Sequence, residues 1–187
     1  MELISFLYLQ QYNINLFRSC FEDSHDQDDN TQLAKLVKED LERQPMVIQG
    51  ITKDYGAVAY KPPRETPSND ADAEAYVMAQ LYTAERAMAV SEYASKGAHE
   101  KVVAVFSFED YSSSKSPPMP AMKESSTVLQ RIYPERLKIL IIYEPPFWMK
   151  ALYTILYPFL SYATREKIQM KSGKVSHLID LVSFFVP

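Results

Sequence analysis

The segment from Tyr133 to Lys167, YPERLKILIIYEPPFWMKALYTILYPFLSYATREK, constrains the fold more than any other part of the chain. Its aliphatic run Ile139, Leu140, Ile141 and Ile142 suits a strand buried on both faces. Pro145 and Pro146 then break the pattern, and an apolar helical segment follows, closed by Pro158. Between Phe147 and Leu160 the only charge is Lys150, so a helix here turns apolar side chains in nearly every direction. It needs apolar neighbours on two flanks. A protein sheet can supply one, and a lipid the other.

A chain of 187 residues, 47% hydrophobic and 24% charged, is long enough to bury one sizeable core. The single cysteine, Cys20, excludes an internal disulfide and any multi-cysteine metal site. The four glycines, Gly50, Gly56, Gly97 and Gly173, are too far apart for a dinucleotide-binding turn, a P-loop or a nucleophile elbow. His25, His99 and His177 are isolated, and no Ser/His/Asp order is supported by a motif, so the reading is noncatalytic. The acidic run Glu22 to Asn30 lacks the order of a calcium loop and is read as a solvated loop; no metal site is expected.

Charge is distributed unevenly. Residues 1–49 hold four Lys/Arg against nine Asp/Glu, whereas residues 131–174 hold eight against three. The basic half thus coincides with the apolar helix, the pairing a peripheral membrane protein needs, while the overall charge of -4 argues against a nucleic-acid partner. With Glu2 at the start and no basic segment before an apolar core, no secretory signal is expected. Pro145, Pro146 and Pro158 cut the one stretch long enough to suggest a membrane span. The expected location is cytoplasmic or peripheral to a membrane, or an organelle had a transit peptide been removed.

In chain order, two short helices are expected over residues 2–21, with Asn13 as a cap between them, and a third over residues 31–43. The first sheet strand is expected at Ala57 to Lys61, between the turn at Gly56 and Pro62-Pro63. A long helix closed by Gly97 follows, then a buried strand within Lys101 to Phe108 and a helix carrying Met122, Val128, Leu129 and Ile132 inward. After the apolar helix come a short strand at Lys167 to Met170 and an amphipathic helix at Lys174 to Phe185.

The motifs YPERL, an aliphatic strand, a proline turn, Phe147 and Trp148, LYPFL and T-x-x-K-I together resemble the CRAL-TRIO domain family, and SFLYLQQYNINLF resembles its small N-terminal helical lobe. The resemblance implies an α/β fold in which a mixed, mostly parallel sheet floors an apolar cavity covered by a gate helix. It implies a helical lobe over residues 1–45 and a lipid-binding domain, shortened at its C-terminal end, over 46–187. The gate and cavity lining would be Phe147, Trp148, Ala151, Leu152, Ile155, Leu156 and Phe159, with hinges near Pro146 and Pro158. Val103, Val105, Ile139 and Ile141 would form the floor. By the same resemblance Glu135, Thr164 and Lys167 match residues that contact a lipid headgroup, although Glu135 could instead pair with Arg136 or Arg165.

The chain departs from that pattern in four places. The lobe's basic pair falls in Ser24-His25-Asp26, a strand-ending Asp-x-x-Gly becomes Glu109-Asp110-Tyr111-Ser112, the N-A-P turn becomes Glu144-Pro145-Pro146, and the end at Phe185-Val186-Pro187 lacks a Gly-Gly continuation. The expected function is binding, and intermembrane transfer, of a phospholipid or other lipid, with no cofactor besides the bound lipid and with transient membrane contact. The competing expectation is an accessory subunit that keeps the fold without transfer, inside a larger, membrane-bound assembly of protein partners.

Overall fold

The computed structural model describes residues 12–19, 28–65 and 73–173. The expected helix before Tyr12, the final helix at 174–185, and Cys20, His25 and His177 lie outside them. Helix α1 spans Ile14–Ser19 and α2 spans Asp28–Arg43. Helix α2 starts inside the segment expected to be an acidic loop. An acidic run does not by itself exclude a helix start, because the backbone dipole is positive at a helix N-terminus.

Two strands follow, β1 at Val47–Ile51 and β2 at Ala57–Lys61, joined as an antiparallel hairpin. Strand β1 was not expected, because Gly50 interrupts it and its side chains are only partly covered, which leaves no alternation to read. The turn between them is tied by Thr52, whose Oγ1 accepts from Gly56 N at 2.7 Å. Gly56 has no room for a side chain: a Cβ there would meet the Lys101 carbonyl oxygen at 2.9 Å.

Helix α3, Ala73–Ser95, ends at Gly97, which takes φ +84°, the left-handed conformation expected there. Strand β3 is Val102–Ser107, helix α4 is Met119–Ile132 and strand β4 is Leu137–Tyr143. The apolar segment forms helix α5 only over Met149–Leu156; a 3-10 turn at Tyr157–Phe159 takes up Pro158 as its second residue. A short helix not expected from the sequence, α6 at Tyr162–Glu166, leads into β5 at Ile168–Lys171.

The five strands lie in the order β1-β2-β3-β4-β5, with β2 to β5 mutually parallel and β1 antiparallel at the edge. On one face Ala57, Ala59 and Val102 pack against Ala87 and Val90 of α3. Ser91 of the same helix donates to the Lys101 carbonyl at 3.0 Å and accepts from Ala57 N at 2.8 Å, fixing α3 to the sheet. The opposite face carries a separate cluster of Val58, Tyr60, Val103, Val105, Ile139 and Ile141. Each fully buried valine there contributes about 1.5–3 kcal/mol relative to an exposed one. A third cluster joins the helices: Tyr12, Ile14, Phe17, Leu33 and Val37 share it with Val77, Leu81 and Val128, with Met122, Leu129 and Ile132 packed around.

Candidate functional site

The apolar segment after β4 is held by a small number of polar ties. Glu144 takes φ 51°, a left-handed value that suits the asparagine of the family pattern better than a glutamate. Its own side chain offsets this: Oε1 accepts from Gly173 N at 2.6 Å, while Glu144 N donates to Lys171 O at 2.8 Å. Tyr143, 1% exposed, donates its hydroxyl to Gly173 O at 2.5 Å. The end of β4 is thereby clasped to the end of β5. Pro146 O then accepts from Met149 N at 2.8 Å and starts α5.

Helix α5 covers little of its apolar surface. Met149 is buried and Leu152 and Leu156 are half-buried, but Ala151 and Ile155 are exposed and Phe147 is 93% exposed. Trp148 packs on Tyr111, with ring centroids 5.8 Å apart. Tyr157, Phe159 and Tyr162 continue the exposed apolar surface, at 43%, 45% and 72%. Cations frame it: Lys123 Nζ lies 5.0 Å from the Phe159 ring, the Arg165 guanidinium lies 3.8 Å from the Tyr157 ring, and Lys150 is exposed. Among the described residues no helix is long and apolar enough to cross a membrane.

The far end of the segment is clipped to α4 by Gln130, a residue no sequence signal singled out. Its Nε2 donates to Phe159 O at 2.9 Å and its Oε1 accepts from Ser161 N at 2.6 Å. Ser161 then caps α6, its Oγ accepting from Thr164 N at 3.2 Å. The segment is therefore tied to α4, which packs on α3, so it stands on the helix-bearing side of the sheet.

Val103, Val105, Ile139 and Ile141 do share a face, but it is the face turned away from α3. Strand side chains alternate, so those pointing to the helix side are Ala104, Phe106, Leu140, Ile142, Ile168 and Met170, which are in register across β3, β4 and β5. Apolar residues occupy both parities of Ile139 to Ile142, and hydropathy alone cannot choose between them.

The three headgroup candidates lie near the start of β5. Lys167 Nζ donates to Glu135 Oε2 at 2.7 Å, and the ammonium holds the Glu135 carboxyl below the usual carboxylate range. The partner is thus neither Arg136, which pairs with Glu100, nor Arg165, which donates to Tyr157 O at 2.9 Å. Thr164 sits one turn before Lys167, its Oγ1 2.7 Å from Ser161 Oγ and its carbonyl accepting from Lys167 N at 3.1 Å. Glu135 occupies φ 62° in the turn after α4 and also borders a recess of about 1170 Å³ between α1, α3 and that turn. Glu85, Glu92, Glu100, Lys101 and Arg136 line this recess together with Ile14, Phe17, Met88 and Ile132, so its walls mix charged and apolar surface. Of the histidines, His99 is described: it is exposed and stacked near Tyr55 with ring centroids 6.5 Å apart.

Comparison with known proteins agrees with this architecture. A solved structure, the crystal structure of Sfh5, superposes with a TM-score of 0.56 at 14% sequence identity, covering 87% of this chain and 56% of that one. The present chain therefore spans a little over half the length of that structure. No curated protein matches. The family model of the CRAL/TRIO domain matches residues 41–185, most of the chain. With a five-stranded mixed sheet, its α3 and α4 cover and a proline-bounded apolar segment beside them, the chain belongs to the CRAL/TRIO domain family, a family of lipid-binding domains.

Proposed function

We propose that the protein is a noncatalytic carrier that holds a phospholipid or other lipid between the helix-bearing face of the sheet and the segment from Phe147 to Phe159, and exchanges it with membranes. The observation that carries this reading is the row Phe147, Ile155, Tyr157, Phe159 and Tyr162, large side chains left in solvent beside Lys123, Lys150 and Arg165. Exposed rings beside cations suit a lipid interface, where the rings enter the headgroup boundary and the cations meet anionic lipid. The proposed floor is Phe106, Leu140, Ile142, Ile168 and Met170, and Phe147 to Phe159 is the gate, hinged at the Pro146 turn and at the 3-10 turn around Pro158. Lys167 and Thr164, with Glu135 as their partner, are proposed to meet the headgroup.

Native mass spectrometry and solvent extraction of the purified chain test the reading, together with transfer of a fluorescent phospholipid between vesicles. A retained lipid and measurable transfer are expected. A protein that carries no lipid and moves none would overturn it. Stable co-purification of a partner seated on the same exposed row, without transfer, would instead favour the accessory-subunit reading.

A further inference from the structure

We infer that Lys61 and Arg64, buried together at and just beyond the carboxyl end of β2, form an oxyanion site beside the proposed lipid position, so that the preferred ligand carries a phosphate-type group in addition to its apolar body. The inference rests on the carrier reading for the apolar body but not for the anion. Arg64 is 0% exposed; its Nη1 donates to Asp40 Oδ1 at 2.8 Å, while Nε and Nη2, both buried, have no hydrogen-bond partner. Asp40 Oδ2 is likewise buried and open. Lys61, 3% exposed, has its Nζ 5.0 Å from the Tyr76 ring centroid and 5.8 Å from that of Phe106. Among the described residues, two cations and one carboxylate leave this buried cluster with a surplus of one positive charge.

A buried charge without a counter-charge is costly, and a ring face replaces only part of the lost hydration. An oxyanion would close both deficits at once, accepting from the open Arg64 donors and from Lys61. The groups facing the cluster from the surrounding elements are Asp40 of α2, Tyr76 of α3, Tyr111 after β3 and Ser125 of α4, none of them a second counter-ion at neutral pH. Burial lowers the Lys61 pKa to about 8, so the ammonium is still the main form at neutral pH.

Position links the cluster to the gate. Lys61 is in register with Phe106, Phe106 with Ile142, and Ile142 with Met170, one row across the carboxyl ends of four parallel strands. Open α/β sheets bind ligands at that edge. Tyr111 is linked to both: Trp148 of the proposed gate packs on its ring, and the Arg64 charge acts on its hydroxyl.

The test compares the full chain with Lys61→Met, and with Lys61→Gln should the first variant fold poorly. One arm measures thermal stability in inorganic phosphate against chloride at equal ionic strength. The other measures pick-up from vesicles of phosphatidylcholine with or without phosphatidic acid. Expected is a preference of wild type for phosphatidic acid that falls about tenfold in the variant, the loss of one charge-assisted contact. A saturable stabilisation by phosphate that the variant lacks, without lipid pick-up, would keep the anion site and overturn the carrier reading. Lipid pick-up with neither a phosphate response nor a Lys61-dependent preference would overturn this inference and leave the carrier reading standing.

Discussion

Lys167 and Glu135, separated by 32 positions in the chain, meet through a 2.7 Å charge-assisted hydrogen bond that joins the start of β5 to the turn after α4. Glu135 is exposed, so water screens the pair and it does little to hold the fold. Under the proposed headgroup role its value lies in positioning the ammonium. Lys167→Ala is expected to leave the thermal midpoint close to wild type while lowering transfer of phosphatidylinositol relative to phosphatidylcholine. Equal loss of both lipids would assign Lys167 to gate mechanics instead of headgroup contact.

Phe147 is the cleanest probe of the proposed gate because its side chain touches so little protein. Phe147→Asp should unfold at the same denaturant concentration as wild type yet lose vesicle binding and transfer, measured by co-sedimentation and by fluorescence dequenching. Trp148→Asp should abolish transfer as well, and it also removes the contact with Tyr111. Undiminished transfer by Phe147→Asp would exclude this segment from the membrane contact.

Gln130 clips both Phe159 and Ser161 to α4. Gln130→Ala should loosen the end of the proposed gate, seen as faster amide exchange over residues 157–162. Ser161→Ala removes the cap of α6 and is expected to cost about 1 kcal/mol in chemical denaturation. Unchanged exchange in Gln130→Ala would mean the gate is held elsewhere.

Asp40 and Arg64 form a salt bridge with both side chains 0% exposed. Breaking such a pair leaves one charge buried alone, so Asp40→Ala should destabilise the protein by about 3–5 kcal/mol, read from urea unfolding. A loss below about 1 kcal/mol would show that water reaches Arg64 freely.

The Lys61 pKa of about 8 lies below the unfolded value of 10.5, so between those values the unfolded chain binds more protons than the folded one. Stability must then rise with pH through that window, and the penalty is greatest below it, at most about 3 kcal/mol. Thermal midpoints should increase from about pH 7.5 to about pH 9.5 in wild type and stay flat in Lys61→Met. Buried Tyr76 and half-buried Tyr111, both held protonated, oppose the trend only as the pH nears their ordinary value of 10.0. A flat wild-type profile would mean that Lys61 is hydrated or already paired.

The sequence by itself determined the order of the main elements from Ala57 onward, because each carries a local signal. Pro145-Pro146 and Pro158 bound the apolar segment, Gly97 ends α3, and aliphatic runs mark β3 and β4. The apolar character of Phe147 to Leu160 and the family to which it points were legible for the same reason. Weakly patterned pieces were not. Strand β1 is a half-covered edge strand with a glycine inside, and α6 has five residues and owes its first turn to Ser161.

What only the tertiary structure decided is which side chains meet. Ile139 and Leu140 are equally apolar, and the face each one joins depends on where α3 and α4 pack. Glu135 could have paired with either neighbouring arginine, yet the turn after α4 and the entry to β5 bring Lys167 to it. Lys61 reads as the polar end of a strand, and only the closing of α2, α3 and α4 over the sheet buries it with Arg64 and Asp40. Local chain chemistry sets elements and their ends; burial and charge pairing belong to contacts between elements that no single stretch of sequence contains.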